Sequence, residues 1–147
     1  MLLISHRGNQ NSIIPDKENS PLYIDEAINK GFDVEIDVRV IQNKIFLGHD
    51  APDYEIPLSW LSDRKYNLWI HTKNFAALSF LIDFDFKIFY HQKENHTIIN
   101  NCGVIWSHDL SEANEKSIIP LLSLEDIKNC KNFNVFGICS DFVESLK

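Results

Sequence analysis

Cysteine, glycine and proline are all scarce in this chain of 147 residues: three, five and five. The cysteines, Cys102, Cys130 and Cys139, are odd in number and show no Cys-x-x-Cys spacing. That argues against a disulfide framework and reads as buried thiols in a reducing compartment. So little Gly and Pro excludes a collagen-like or low-complexity chain. Positive charge is also in deficit, with 14 Lys and Arg against 21 Asp and Glu, a formal net charge of −7. Nucleic acids and anionic membrane surfaces are held by a positive field, so neither is expected as a partner. No apolar run reaches the roughly 20 residues that span a bilayer. Met1-Leu2-Leu3-Ile4 has no basic segment before it and runs straight into Ser5-His6-Arg7, which does not look like a signal peptide. The expectation is a soluble, cytoplasmic protein without membrane insertion.

What remains is an ordinary globular composition, 44% hydrophobic and 24% charged. A chain of this length makes one domain that buries roughly 68–70% of its unfolded surface. Eight short apolar runs read as strands: residues 2–5, 32–40, 45–47, 68–72, 86–90, 104–106, 118–121 and 134–138. A helix is expected over 20–30, with Ser20 as N-cap, Pro21 at the first helical position, an apolar stripe of Ile24, Ala27 and Ile28, and Gly31 just past the end. Residues 74–82 and 123–130 also look helical, the second opening on the capping box Ser123-Leu124-Glu125-Asp126. Strands interleaved with helices predict parallel α/β architecture. Eight of them suit a (β/α)8 barrel, but such barrels typically need about 250 residues. The fold expected is therefore a contracted (β/α)8 TIM-type barrel with several helices shortened or missing; an open α/β sheet is the alternative.

The second strand carries the chemistry. In Asp33-Val34-Glu35-Ile36-Asp37-Val38-Arg39-Val40 one face is β-branched and the other is Asp33, Glu35, Asp37 and Arg39. Parallel strands are usually apolar on both faces, and buried carboxylates need cations. On this strand alone, a wet, salt-bridged edge and a metal site are both open. Neighbouring strand ends favour the metal site, because they bring His6-Arg7, His49-Asp50 and His71-Thr72-Lys73 towards the same rim. Glu35 and Asp37 suit a hard divalent cation such as Mg²⁺ or Ca²⁺.

These residues carry a resemblance. His6-Arg7-Gly8-Asn9, Glu18-Asn19-Ser20, Glu35-x-Asp37-Val38 and Gly48-His49-Asp50 are similar, in order and spacing, to the motifs of glycerophosphodiester phosphodiesterases. That family belongs to the phospholipase-C-like TIM-barrel phosphodiesterases, and the likeness is greatest to its short bacterial members. Beyond residue 73 the likeness to the full-length enzymes fades.

The resemblance implies His6 and His49 as the acid–base pair, Glu35 and Asp37 as metal ligands, and Arg7 and Lys73 on the phosphate. Glu18 would orient Arg7 or a metal-bound water. Larger relatives have a third carboxylate ligand where this chain has His71, which would ligate through nitrogen and so admits Mn²⁺ or Zn²⁺ beside Mg²⁺ or Ca²⁺. Asn19 is expected to fix the turn before Ser20, and Asp50 to position its neighbour. His91 and Asp141 are candidate substrate contacts, Tyr90 and Trp106 packing residues, and His96 and His108 solvated. The implied function is metal-dependent cleavage of a small glycerol- or sugar-linked phosphodiester, by hydrolysis or by release of a cyclic phosphate. A non-catalytic phosphate-ligand binding module is the alternative. A homodimer is possible, because missing helices leave apolar sheet surface uncovered.

Overall fold

The computed structural model describes residues 1–129 and 133–147. Ten strands form one curled sheet: β1 (Leu2–His6), β2 (Asp33–Ile41), β3 (Lys44–Leu47), β4 (Tyr54–Ile56), β5 (Leu68–Thr72), β6 (Ile88–Phe89), β7 (His96–Ile99), β8 (Val104–Ser107), β9 (Ser117–Pro120) and β10 (Gly137–Ser140). Among the described residues four short α-helices accompany them: α1 (Pro21–Asn29), α2 (Leu58–Arg64), α3 (Phe75–Leu81) and α4 (Leu124–Asn129). The strands β6, β5, β2, β1, β10, β9 and β8 run parallel in that order. The other three, β3, β4 and β7, pair antiparallel.

This corrects the expected (β/α)8 TIM-type barrel. The molecule is a strand-rich half-barrel, a curled mixed sheet in which hairpins replace two of the helical crossovers. Asn100, just past β7, donates its backbone N–H to Ile88 of β6 at 2.8 Å. Among the described residues, however, no ladder joins β6 to β7 or β8 and closes the sheet. Gln42 and Asn43 sit at φ +49° and +62°, the two left-handed residues of a type I′ turn, and send β3 back along β2. The predicted strand at 45–47 is thus antiparallel. Asn101 and Gly103, both at φ +67°, turn β7 into β8. With so few residues per strand, a tight turn is the connection that fits.

Where a helix has room it forms as the sequence dictates. The Ser20 hydroxyl accepts from the Tyr23 N–H, Pro21 opens α1, and Tyr23, Ile24 and Ala27 are buried. At its end Gly31 takes φ +89°, donating to Ile28 while Phe32 donates to Ala27, which is a Schellman cap. Asn74 caps α3 by accepting from Ala77. In contrast, α4 buries none of its side chains, and the Cys130 end of that predicted helix lies outside the described residues. Of the other cysteines, Cys139 is buried as expected but Cys102 is exposed.

The alternation along β2 sets the two sides of the sheet. Val34, Ile36, Val38 and Val40 pack with β3, β5 and the helices α1, α2 and α3 in the larger core. Glu35 and Asp37 point to the concave side, whose floor is a second core of Ile4, Trp69, Phe89, Trp106, Ile118 and Cys139. A wet edge is excluded, because β2 is flanked by β1 and β5 and both carboxylates are buried.

No helix among the described residues is long and apolar enough to cross a membrane.

Candidate functional site

A cavity of about 480 Å³ opens on the concave side of the sheet. His6, Arg7, Glu35, His49, His71 and Lys73 all line it. His6 and Arg7 come from the end of β1, Glu35 from β2, and His71 and Lys73 from the end of β5. His49 arrives by a different route from the expected parallel strand end. The antiparallel β3 occupies the edge of β2 that β1 leaves free beyond Glu35, and Gly48 donates its N–H to the Asp37 carbonyl at 3.0 Å. A side chain at Gly48 would put a Cβ 1.9 Å from the Ala51 carbonyl oxygen at φ +145°, so only glycine lets His49 sit there. Arg39 donates to the Gly48 and His49 carbonyls and secures the loop.

Asp37 lies at the centre of the charged groups. One oxygen, Oδ2, accepts from Asn19 Nδ2 at 2.9 Å and faces Arg7 Nε at 2.9 Å. The other, Oδ1, is 3.3 Å from His71 Nδ1 and 3.8 Å from Lys73 Nζ, but it is buried with no aligned hydrogen bond. Burial works against the Asp37 carboxylate, yet His71, Arg7 and Asn19 together hold it well below the ordinary carboxylate range. Glu35 shows the opposite balance. Burial and the neighbouring Asp37 charge push it up to about 7, and its Oε2 is a second orphaned buried oxygen.

Two unpartnered carboxylate oxygens in one buried spot fit a cation better than they fit a packed core. Glu35, Asp37 and His71 can each turn a ligand atom into a cluster within 4.8 Å. Burial, against the pull of Asp37, lowers the His71 pKa, which favours the neutral ring that a ligand needs. The residues therefore fit a divalent metal.

The acid–base candidates have carboxylate partners. His6 Nδ1 lies 2.8 Å from Asp141 Oδ1, and its Nε2 is 3.8 Å from Glu35. Burial opposes the charged ring, but the Asp141 bond and the charges of Glu35 and Asp141 outweigh it and raise the His6 pKa. His49 is about one-third exposed, with Nδ1 2.8 Å from Asp50, the positioning role expected of Asp50. Asp141, a candidate substrate contact in the sequence, is here the partner of His6 and Asn9. We predict that Asp141→Asn lowers the His6 pKa, and histidine NMR titration of the two proteins measures it directly. Because the bond to Asp141 raises the pKa of His6, any activity that needs the His6 proton should fall off at lower pH in the variant.

Two buried asparagines tie the charged groups together. Asn9, fully buried at the foot of the first motif, donates through Nδ2 to Glu18 Oε1 and Asp141 Oδ1, both at 2.8 Å. Glu18 in turn accepts from Arg7 Nη1 at 3.2 Å, so it orients Arg7. One amide thus ties the partner of His6 to the partner of Arg7. Its place in His6-Arg7-Gly8-Asn9 was the available signal. Asn19, expected to fix a turn, also clamps Asp37 with a second bond, accepting from the Asp37 N–H at 2.9 Å. It does so from a left-handed φ of +59° that asparagine tolerates and alanine does not. Asn19→Ala is expected to cost about 2–4 kcal/mol in denaturant unfolding, from the strain and two lost buried bonds.

The rest of the cavity is lined by Tyr90, His91, Gln92, Trp106, His108, Pro120 and Leu122. Trp106 packs in the second core and Tyr90 is half-buried, and both also border this space, as does the exposed His108. Burial and its histidine neighbours lower the His91 pKa to about 4. A second group, His96, Asp109 and Glu112, lies outside the cavity. It is largely exposed, and His96 is already paired with Ser107 and Glu112.

In comparisons with protein-family models, with curated proteins and with solved structures, nothing matches this chain.

Proposed function

We propose that the protein is a metal-dependent phosphodiesterase acting on a small phosphodiester. The observation that carries the reading is the pair of orphaned carboxylate oxygens of Glu35 and Asp37, set between two histidines with carboxylate partners and two cations in one cavity. Binding alone needs cations. It does not need two titratable rings, each oriented by its own carboxylate, and this favours catalysis over the binding module.

Glu35, Asp37 and His71 would hold a divalent cation such as Mg²⁺, Ca²⁺, Mn²⁺ or Zn²⁺. Such an ion, when bound, supplies positive charge for the phosphoryl oxygens and orients the diester. Arg7, held by Asp37 and Glu18, presents its remaining guanidinium edge to a non-bridging oxygen, and Lys73 adds a second positive charge. His6, whose protonated form Asp141 favours, is suited to the general acid, and His49 to the general base. His49 takes the proton of the attacking hydroxyl, from water or from a neighbouring hydroxyl of the substrate. As the new O–P bond forms, the bond to the leaving alcohol breaks and His6 gives that oxygen its proton.

The test is turnover of bis(p-nitrophenyl) phosphate and glycerophosphodiesters by chelated protein, re-supplied singly with Mg²⁺, Ca²⁺, Mn²⁺ or Zn²⁺. Activity restored by a cation supports the reading. Phosphate-ligand binding without turnover under every cation would replace it with the binding module.

A further inference from the structure

The cavity has two unlike walls. One is charged, as described above. The other is formed by residues at or beyond the ends of β6, β8 and β9, chiefly Tyr90, His91, Trp106, His108 and Leu122, and carries no Asp, Glu, Lys or Arg. The His91 ring is backed by His71, 4.5 Å away and within 7° of parallel, so one of its faces is covered. His108 stands 4.8 Å from His91 at an interplanar angle of 60°. Two rings at that angle make a corner and not a parallel slot.

The two rings meet at their edges, with His108 Nε2 3.5 Å from His91 Nε2. A Trp indole N–H can only donate, so the 3.2 Å contact from Trp106 Nε1 makes His108 Nε2 an acceptor and leaves Nδ1 as the protonated nitrogen of the neutral ring. Gln92 Nε2 donates to the Tyr90 hydroxyl at 2.7 Å, which leaves the Gln92 carbonyl oxygen as an acceptor. The wall therefore offers flat, uncharged ring surface edged by one donor, His108 Nδ1, and one acceptor, the Gln92 carbonyl oxygen.

We propose, resting on the phosphodiesterase reading, that this corner is a subsite for a sugar ring, and that the alcohol esterified to the phosphate is a pyranose. A pyranose has an apolar C–H face for the rings and hydroxyls at its rim for His108 and Gln92. Other alcohols fit less well. A planar base stacks best in a parallel slot. A quaternary ammonium is best held by a cage of open aromatic faces; Trp106 is buried with one face stacked on Phe89 at 4.6 Å, which leaves Tyr90 without a second such face. An acyl chain needs a wall free of N–H and O–H groups, and bare glycerol leaves the ring surface wet.

The test compares kcat/KM for glycerol phosphodiesters of glucose, galactose and mannose with glycerophosphoglycerol and glycerophosphocholine. In parallel, calorimetry compares the affinities of the hexose phosphates and glycerol phosphate. The expected result is a preference of roughly tenfold or more for at least one hexose, the size that a hydrogen-bonding subsite supports. That preference should fall towards unity in His91→Ala and His108→Ala. His91→Phe, which keeps the ring and removes its nitrogens, guards against a folding defect. Equal values for all the alcohols, or a preference that the variants leave intact, would overturn the subsite while leaving the phosphodiesterase reading standing. Absence of turnover on bis(p-nitrophenyl) phosphate would instead strike that reading, and the affinity ratios would then decide the subsite alone.

Discussion

Glu35→Gln should raise the melting temperature of the metal-free protein at pH 8 and abolish the further rise caused by a divalent cation. The substitution keeps the shape of a fully enclosed side chain and removes a charge that has an orphaned oxygen and a like-charged neighbour, Asp37. Relief of such a group amounts to about 1–3 kcal/mol. The pH dependence follows from the raised pKa. Below the ordinary carboxylate range Glu35 is protonated both folded and unfolded, and it contributes nothing. As pH rises towards neutrality the unfolded carboxyl ionises first, so folding holds on to a proton and stability falls. The advantage of Glu35→Gln is therefore full above the folded pKa and fades towards pH 5. If Glu35 were a structural anchor for His6 and Arg7, the same change would cost about 3–5 kcal/mol, the penalty for breaking a buried ion pair. Thermal melts at pH 5 and pH 8, with and without Mn²⁺, separate the two.

His6→Ala should lower kcat by about 10²–10⁴, the usual value of a positioned acid or base, with metal affinity changed little. His6 is not in the group of metal ligands, and its bond to Asp141 sets its charge and not the cluster geometry. The variant should also lose the alkaline limb of its pH–rate profile, because that limb reports deprotonation of the acid. Loss of metal binding in His6→Ala would make His6 a ligand instead and would leave the reaction without its acid.

The sequence made the charged strand legible because an alternation of β-branched and ionic residues has few other uses. Ser20, Pro21 and Gly31 marked α1 equally well, since each answers a local demand of the backbone. Strand direction was harder to read. The segment 45–47 is apolar whichever way it runs, and only the left-handed pair Gln42 and Asn43 shows that it turns back. The strand β7, His96-Thr97-Ile98-Ile99, was missed because two of its four residues are polar and Ile98 faces solvent. Those two hairpins are what the expected barrel lacked. His6, Arg7, Glu35, His49, His71 and Lys73 nonetheless line one cavity, because the reversed β3 delivers His49 to the same rim. The supporting bonds were out of reach. Nothing local links Asn9 to Asp141, 132 positions away, or shows that Asn19 holds both the amide and the carboxylate of Asp37.

The claim on which the rest depends is a cation among Glu35, Asp37 and His71. The most direct measurement is the anomalous difference density of a crystal soaked in Mn²⁺. A peak is expected at this cluster, with carboxylate oxygens of Glu35 and Asp37 drawn to within about 2.0–2.6 Å of it. Absence of a peak there, or a peak only at His96, Asp109 and Glu112, would contradict it.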